Sequence, residues 1–247
     1  MSNYRGWESA TSLMLAYETS ARAHRAAIRT ASIEPGKTEP HERYSYQHGF
    51  ALLILNASII EGTMRTILTE RVTDDLSKVI ERNMAAGLSE HTAPDRLLAR
   101  FLRDLESSGS WQKLTEASSA YLGAPMDSTI PKDVREGIDV LFALRNVLAH
   151  GTALIQPVEQ LGDDMKDVYP YDWQRRLQRV AVYLESQFKK GSVFKNLAHP
   201  DMPEHFMDVT KRYFAEINTA HAPIPQRAAI TIEMVRKYHF GYVGTMY

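Results

Sequence analysis

The run GIDVLFALRNVLAHG, residues 137–151, gathers an arginine, an amide, a histidine and a glycine in seven positions: Arg145, Asn146, His150 and Gly151. A guanidinium offers a rigid planar fork of N–H donors that fits a phosphate. An imidazole takes up or gives away a proton near neutral pH. No other stretch collects comparable chemistry so densely. The spacing by itself is cheap, since the chain holds 9 histidines and Arg43 stands at the same interval from His48. Context separates the two pairs. Arg43 follows Pro40 in a polar stretch where a loop becomes a helix, whereas Arg145 closes a long apolar run and is followed by a helix-stopping glycine.

The element that must position these groups reads as a helix. Ser128 or Thr129 can cap it, Pro131 suits a first turn, and Asp133 and Glu136 suit the positive end of the dipole. At 100° per residue Val134, Ile138, Leu141, Leu144 and Leu148 share one apolar face, and Arg145 falls in the middle of it. Asn146 and His150, four apart, share another face and can touch. Gly151 can adopt the left-handed conformation that ends a helix, leaving His150 in the last turn, where the dipole favours a protonated ring. A charge within an apolar stripe needs a partner. The other long apolar helix supplies one: Phe50, Ile54, Ala57, Met64 and Leu68 form its stripe, with Glu61 in the centre and Arg65 a turn beyond, able to share the carboxylate. The two helices are expected to pack, with Glu61 aiming the guanidinium of Arg145. A structural ion pair would look the same.

Composition sets the class. At 247 residues, with 44% hydrophobic and 24% charged side chains, the chain is long enough for a large core and ordinary enough for a soluble globular protein. The formal net charge is −1, so any nucleic-acid contact must be local. Zero cysteines exclude disulfides and thiolate metal sites. The start MSNYRGWESA lacks the pattern of a signal peptide, and the most apolar run, Phe50 to Ile60, is too short to span a bilayer. Together these predict a soluble cytoplasmic protein without a membrane segment.

Along the chain, a first helix is expected from about Tyr4 to Thr30, with Trp7, Ala10, Met14, Tyr17, Ala21, His24 and Ile28 on its seam. His24 reads as a core or interface histidine. The second, about Tyr44 to Val72, is apolar on both sides in its first half, because Leu52, Leu55 and Ile59 lie opposite the Phe50 stripe. Thr73 or Asp74 can cap a third helix towards Met84. Pro94-Asp95 opens another through Leu105, and Trp111 begins one ending near Gly123. After Gly151 the chain is irregular, with an extended piece conceivable at Thr152 to Ile155. Asp172 can cap the next helix, striped by Trp173, Leu177, Val180 and Leu184. Its Arg175, Arg176 and Arg179, with Lys189 and Lys190, form the most basic stretch, read as a solvated face. Beyond Gly191 a shorter helix covers about Glu204 to Ile217, and Ala229 to Val235 fits strand or helix equally. His199, His205 and His221 lack the spacing of a metal site.

The Arg145-Asn146-x3-His150 pattern resembles the signature of the HEPN superfamily, an arginine, a polar residue and a histidine four to six positions after the arginine. The resemblance covers the two long helices, roughly 44–72 and 131–151, and by analogy the first helix and the one from Asp172. It implies an all-α, up-and-down helical bundle over residues 1–190, with a helical insert at about 73–123 and a C-terminal extension over 191–247. It also implies a homodimer with two motifs facing a shared cleft, where Arg145 and His150 are catalytic, Asn146 flanks them, and Glu61 and Arg65 support. The implied activity is a metal-independent, cofactor-free endoribonuclease acting on RNA, a toxin or phage-defence effector held by an antitoxin or another regulatory protein. The alternative is a catalytically inactive HEPN-type dimerisation or interaction module.

Overall fold

The computed structural model describes residues 9–33, 40–88, 92–107, 110–149, 171–217 and 224–242. Among them the ordered elements are helices alone: α1 (Ser9–Ile33), α2 (Pro40–Ala85), α3 (Ala93–Ser107), α4 (Trp111–Leu122), α5 (Lys132–Ala149), α6 (Tyr171–Phe188), α7 (Val193–Leu197), α8 (Met202–Glu216) and α9 (Gln226–Lys237). The all-α expectation therefore holds. The undecided segment at Ala229 to Val235 is helical. Gly151 and the piece at Thr152 to Ile155 lie outside the described residues.

The chain divides into two compact units. One comprises Ile59–Pro131 and Phe214–Tyr238, with Ala10. The other comprises Thr11–Ser58, Lys132–Tyr213 and the segment beginning at His239. These units cross residue 190, the expected start of a C-terminal extension.

In the unit holding α5, Met14, Tyr17, Ala21 and His24 of the expected α1 seam are buried and Ile28 is half-buried, while Trp7 lies outside the described residues. Residues beyond 191 are built into the core, since Met202, Phe206, Met207, Val209 and Tyr213 of α8 are also buried. Tyr17 donates to the carbonyl of Pro203 at 3.0 Å, and Thr210 Oγ1 lies 2.8 Å from Asn56 Oδ1. Gly137 permits the closest approach. A Cβ there would stand 2.6 Å from the Tyr183 hydroxyl of α6 and 2.8 Å from Val209 Cγ1 of α8, so three helices meet where a side chain is missing. The short helix α7 escapes sequence reading because five residues carry no periodicity. It is fixed by Asn196, which donates to Glu185 Oε2 at 2.9 Å and accepts from the Lys190 backbone at 3.0 Å.

In the other unit, α2 overrides an expected boundary. Thr73 and Asp74 do not cap a new helix; both are exposed within a continuous one. The apolar spacing through Leu68, Val72, Leu76 and Ile80 keeps one face in register, and neither glycine nor proline interrupts it there. The next carboxylate, Asp75, is engaged by side chains, accepting from Arg71 Nε at 3.1 Å and from the Tyr121 hydroxyl at 2.8 Å. Burial first, and Asp75 second, push the Tyr121 phenol up to about 12. Tyr121 also stacks on Phe101, tying α4 to α3. Thr92 donates its backbone N–H to Asp95 Oδ2 at 2.8 Å, one half of a capping box, and α3 starts at Ala93 accordingly.

The sequence reading ended the apolar run of α2 at Ile60 and found it too short for a bilayer. By length and composition, however, His48–Ala85 passes as a membrane-crossing helix, with a mean hydropathy of 1.4 in its most apolar window. A core helix passes the same test, and 56% of that window is buried within the protein.

Candidate functional site

Helix α5 carries Arg145 and Asn146 near its C-terminal end. The stripe beneath them is buried at Val134, Ile138, Leu141 and Leu144, and half-buried at Leu148. Val140, Phe142 and Val147 are buried as well, so α5 is enclosed on more than the expected face. Arg145 was expected mid-stripe; it is half-buried. The stem of an arginine can lie along apolar neighbours while its head reaches the rim. Its Nη1 donates to Asn146 Oδ1 at 3.1 Å, and Asn146 itself is exposed. The two polar residues of the motif are thus joined, although adjacent helix positions do not ordinarily face each other. An amide oxygen pinned on a guanidinium restricts the rotation of a long, flexible side chain, which suits a group meant to meet a phosphate in one orientation. His150, and with it the expected contact from Asn146, lies outside the described residues. The described part of the helix runs to Ala149.

Glu61 is buried on α2, between buried Ile60 and Thr63 and one turn from Ala57 and Met64. In the first half of this helix Leu52 and Ile59 are buried opposite Ala57, whereas Phe50, Ile54 and Leu55 are half-buried. Glu61 and Arg145 belong to different compact units. Arg65, half-buried, donates to the backbone carbonyl of Leu105. That carbonyl lies in the last turn of α3, where helix geometry leaves acceptors unmatched. Arg65 therefore has a structural task that its place beside Glu61 did not suggest.

Among the described residues, His24, His199 and His205 are packed against neighbours. His24 is buried with Nε2 2.9 Å from the Pro200 carbonyl, and burial pulls its pKa below the ordinary value. His205 meets the Tyr183 hydroxyl at 2.9 Å and lies against Phe188, while His199 stacks on Phe188. Burial lowers the pKa of both rings, and it pushes the Tyr183 phenol up to about 12. Among the described residues no group of three or more His, Asp or Glu side chains is placed to hold a metal ion.

Sequence reading looked for cationic surface on α6 and passed over α1. Arg179 of α6 lies 3.9 Å from Asp139, and Arg175 and Arg176 have side chains outside the described residues. On α1, by contrast, Arg22, Arg25 and Arg29 line a concavity of about 320 Å³ with His239 and Gly241. The signal was present in the i, i+3, i+7 spacing of these arginines, each one residue after a member of the apolar seam. What no local pattern could supply was a partner more than two hundred positions away.

Comparison of the chain with family models, with curated proteins and with solved structures finds no match.

Proposed function

We propose that the protein is a metal-independent endoribonuclease of HEPN type, a toxin or phage-defence effector acting on RNA in the cytoplasm. The observation that carries this reading is the bond from Arg145 to Asn146 near the C-terminal end of α5, with His150 five positions after Arg145 in the sequence. RNA contributes its own nucleophile. His150 takes the proton from the ribose 2′-OH, whose oxygen attacks phosphorus; the bond from phosphorus to the 5′-oxygen breaks, and that oxygen is reprotonated. The products are a 2′,3′-cyclic phosphate and a 5′-OH, with no redox change and no water consumed. Arg145 bears the charge that develops on the non-bridging phosphate oxygens, and Asn146 keeps the fork in plane.

One histidine cannot accept the first proton and deliver the last at the same moment. The proposal therefore includes a homodimer with two facing motifs, in which the histidines divide these tasks. Light scattering at micromolar concentration checks this, and a monomer would remove the composite site. An antitoxin or other regulatory protein completes the scheme.

The test is cleavage of single-stranded RNA by purified protein in EDTA, followed by end-group analysis. Cyclic phosphate and 5′-OH ends support the assignment. Cleavage abolished by the chelator contradicts it, and no cleavage of any RNA favours the inactive interaction module.

A further inference from the structure

The concavity on α1 is built rather than incidental. Gly241 has φ +83°, and a Cβ there would stand 3.2 Å from the Glu18 carbonyl and 3.3 Å from Ala21 Cβ. Only glycine lets this segment lie so close to α1. Arg25 Nη1 donates to the Gly241 carbonyl at 3.0 Å, and its guanidinium carbon lies 6.0 Å from the Tyr242 ring centroid. Gly241 N donates to His239 Nδ1 at 3.0 Å. That bond makes Nδ1 an acceptor, so the ring proton sits on Nε2, 3.8 Å from Glu18 Oε1. Two carboxylates temper the positive charge: Glu18 pairs with Arg22, and Glu204 feels Arg25. Arg29 has no partner among the described residues.

We propose that this face binds the phosphate backbone of a single-stranded RNA. The claim rests on RNA being the substrate and adds a surface that holds it, apart from the α5 motif. Three guanidinium groups spread over eight residues cover about 10 Å of helix axis, enough for a track rather than a point. Sites for small ligands are enclosed and mostly apolar. This one is open and lined by arginines, a histidine and glycine backbone. Open cationic grooves with an aromatic ring close by are how proteins follow a strand without reading its sequence. The overall charge of −1 means that such a patch must do locally what no global field can.

The probe is a short, 2′-O-methylated single-stranded RNA, which lacks the nucleophile and stays intact whatever the protein catalyses. Its binding is followed by fluorescence anisotropy over a range of salt concentrations. Replacing Arg22, Arg25 and Arg29 together by alanine should weaken binding roughly tenfold or more and flatten the slope of log K against log salt by about 2. Arg29→Glu, at an exposed position with no partner among the described residues, should weaken binding without touching the fold, which keeps the test open if the triple variant unfolds. Unchanged affinity and slope in Arg29→Glu would overturn the proposal. So would full displacement of the RNA by an equal concentration of inorganic triphosphate, which would mark a compact phosphate ligand. RNA held through these arginines by a protein that cuts no RNA would sink the nuclease reading alone. Cleavage that needs His150 in a protein whose Arg29→Glu form binds as wild type would sink only the surface.

Discussion

Two arginine sites in the same compact unit differ in how they are held. Arg145 is half-buried at the end of α5, over a packed apolar stripe, with its fork fixed by a neighbouring amide. On α1, Arg22 and Arg29 are exposed and Arg25 is half-buried, and the segment around Gly241 turns them into a concavity. A restrained guanidinium in partly apolar surroundings suits stabilising charge at one reacting phosphate, because fixed donors need little reorganisation. Solvated guanidinium groups suit attraction and hold, since screening leaves each contact weak and many contacts additive. Chemistry and affinity are thus expected to separate cleanly between the two places.

The largest effect that could break this division is on turnover. Arg145→Lys keeps the charge and loses the planar fork, so kcat should fall by about 10²-fold with the affinity for methylated RNA unchanged. Arg29→Glu should do the reverse, raising KM and leaving kcat alone. Steady-state kinetics on both variants decide it, and equal losses of kcat would merge the two sites into one.

A smaller effect bears on the scaffold of α5. Gly137→Ala places a methyl group against the Tyr183 hydroxyl and Val209. Overpacking of this kind costs about 1–3 kcal/mol, and urea unfolding should show a lower midpoint with the slope retained. An unshifted midpoint would mean that the helices part more easily than their contacts indicate.

Acid should act on the same unit. Burial holds His24, His199 and His205 below the ordinary histidine pKa. The folded protein therefore binds fewer protons than the unfolded chain over the interval between the lowered values and the unfolded value of about 6.5. Their contribution is complete above that interval and is lost as pH falls through it. Tm should decline on acidification from neutral pH, and His205→Gln should make the decline shallower. A Tm indifferent to pH there would show that these rings are not held neutral.

The smallest change is expected at the other end of α5. Asp133 accepts from Arg212 Nη2 at 2.8 Å, which keeps its carboxyl below the usual range, yet both side chains are exposed. Arg212→Ala should leave Tm unmoved, as surface ion pairs ordinarily do.

How much of this was legible follows from how locally each feature is encoded. Helix periodicity gave α3 and α4 to within about two residues, and the α1 seam is buried from Ala10 to His24 and half-buried at Ile28. The break at Thr73 was misplaced because two residues that favour caps sit on the solvent face of a helix whose apolar register continues beneath them. Arg145 stood out because a charge in a stripe is a local anomaly. Arg22, Arg25 and Arg29 did not, since charges on a helix's exposed face are the ordinary case. Only tertiary structure brings Gly241 and His239 to them. The bond from Arg65 to the Leu105 carbonyl was not legible for a related reason: its acceptor is a backbone carbonyl at the end of α3, and carbonyls leave no mark in a sequence.

The central claim is that His150 moves the protons of RNA cleavage, with Arg145 on the phosphate. Its most direct test is the initial rate of single-stranded RNA cleavage in EDTA by wild type and by His150→Ala, with dimerisation and Tm of both checked beforehand. The account predicts a drop of about 10²-fold or more, the scale of losing a general acid–base group, in a variant that remains folded and dimeric. A His150→Ala protein that cuts RNA at the wild-type rate would contradict it.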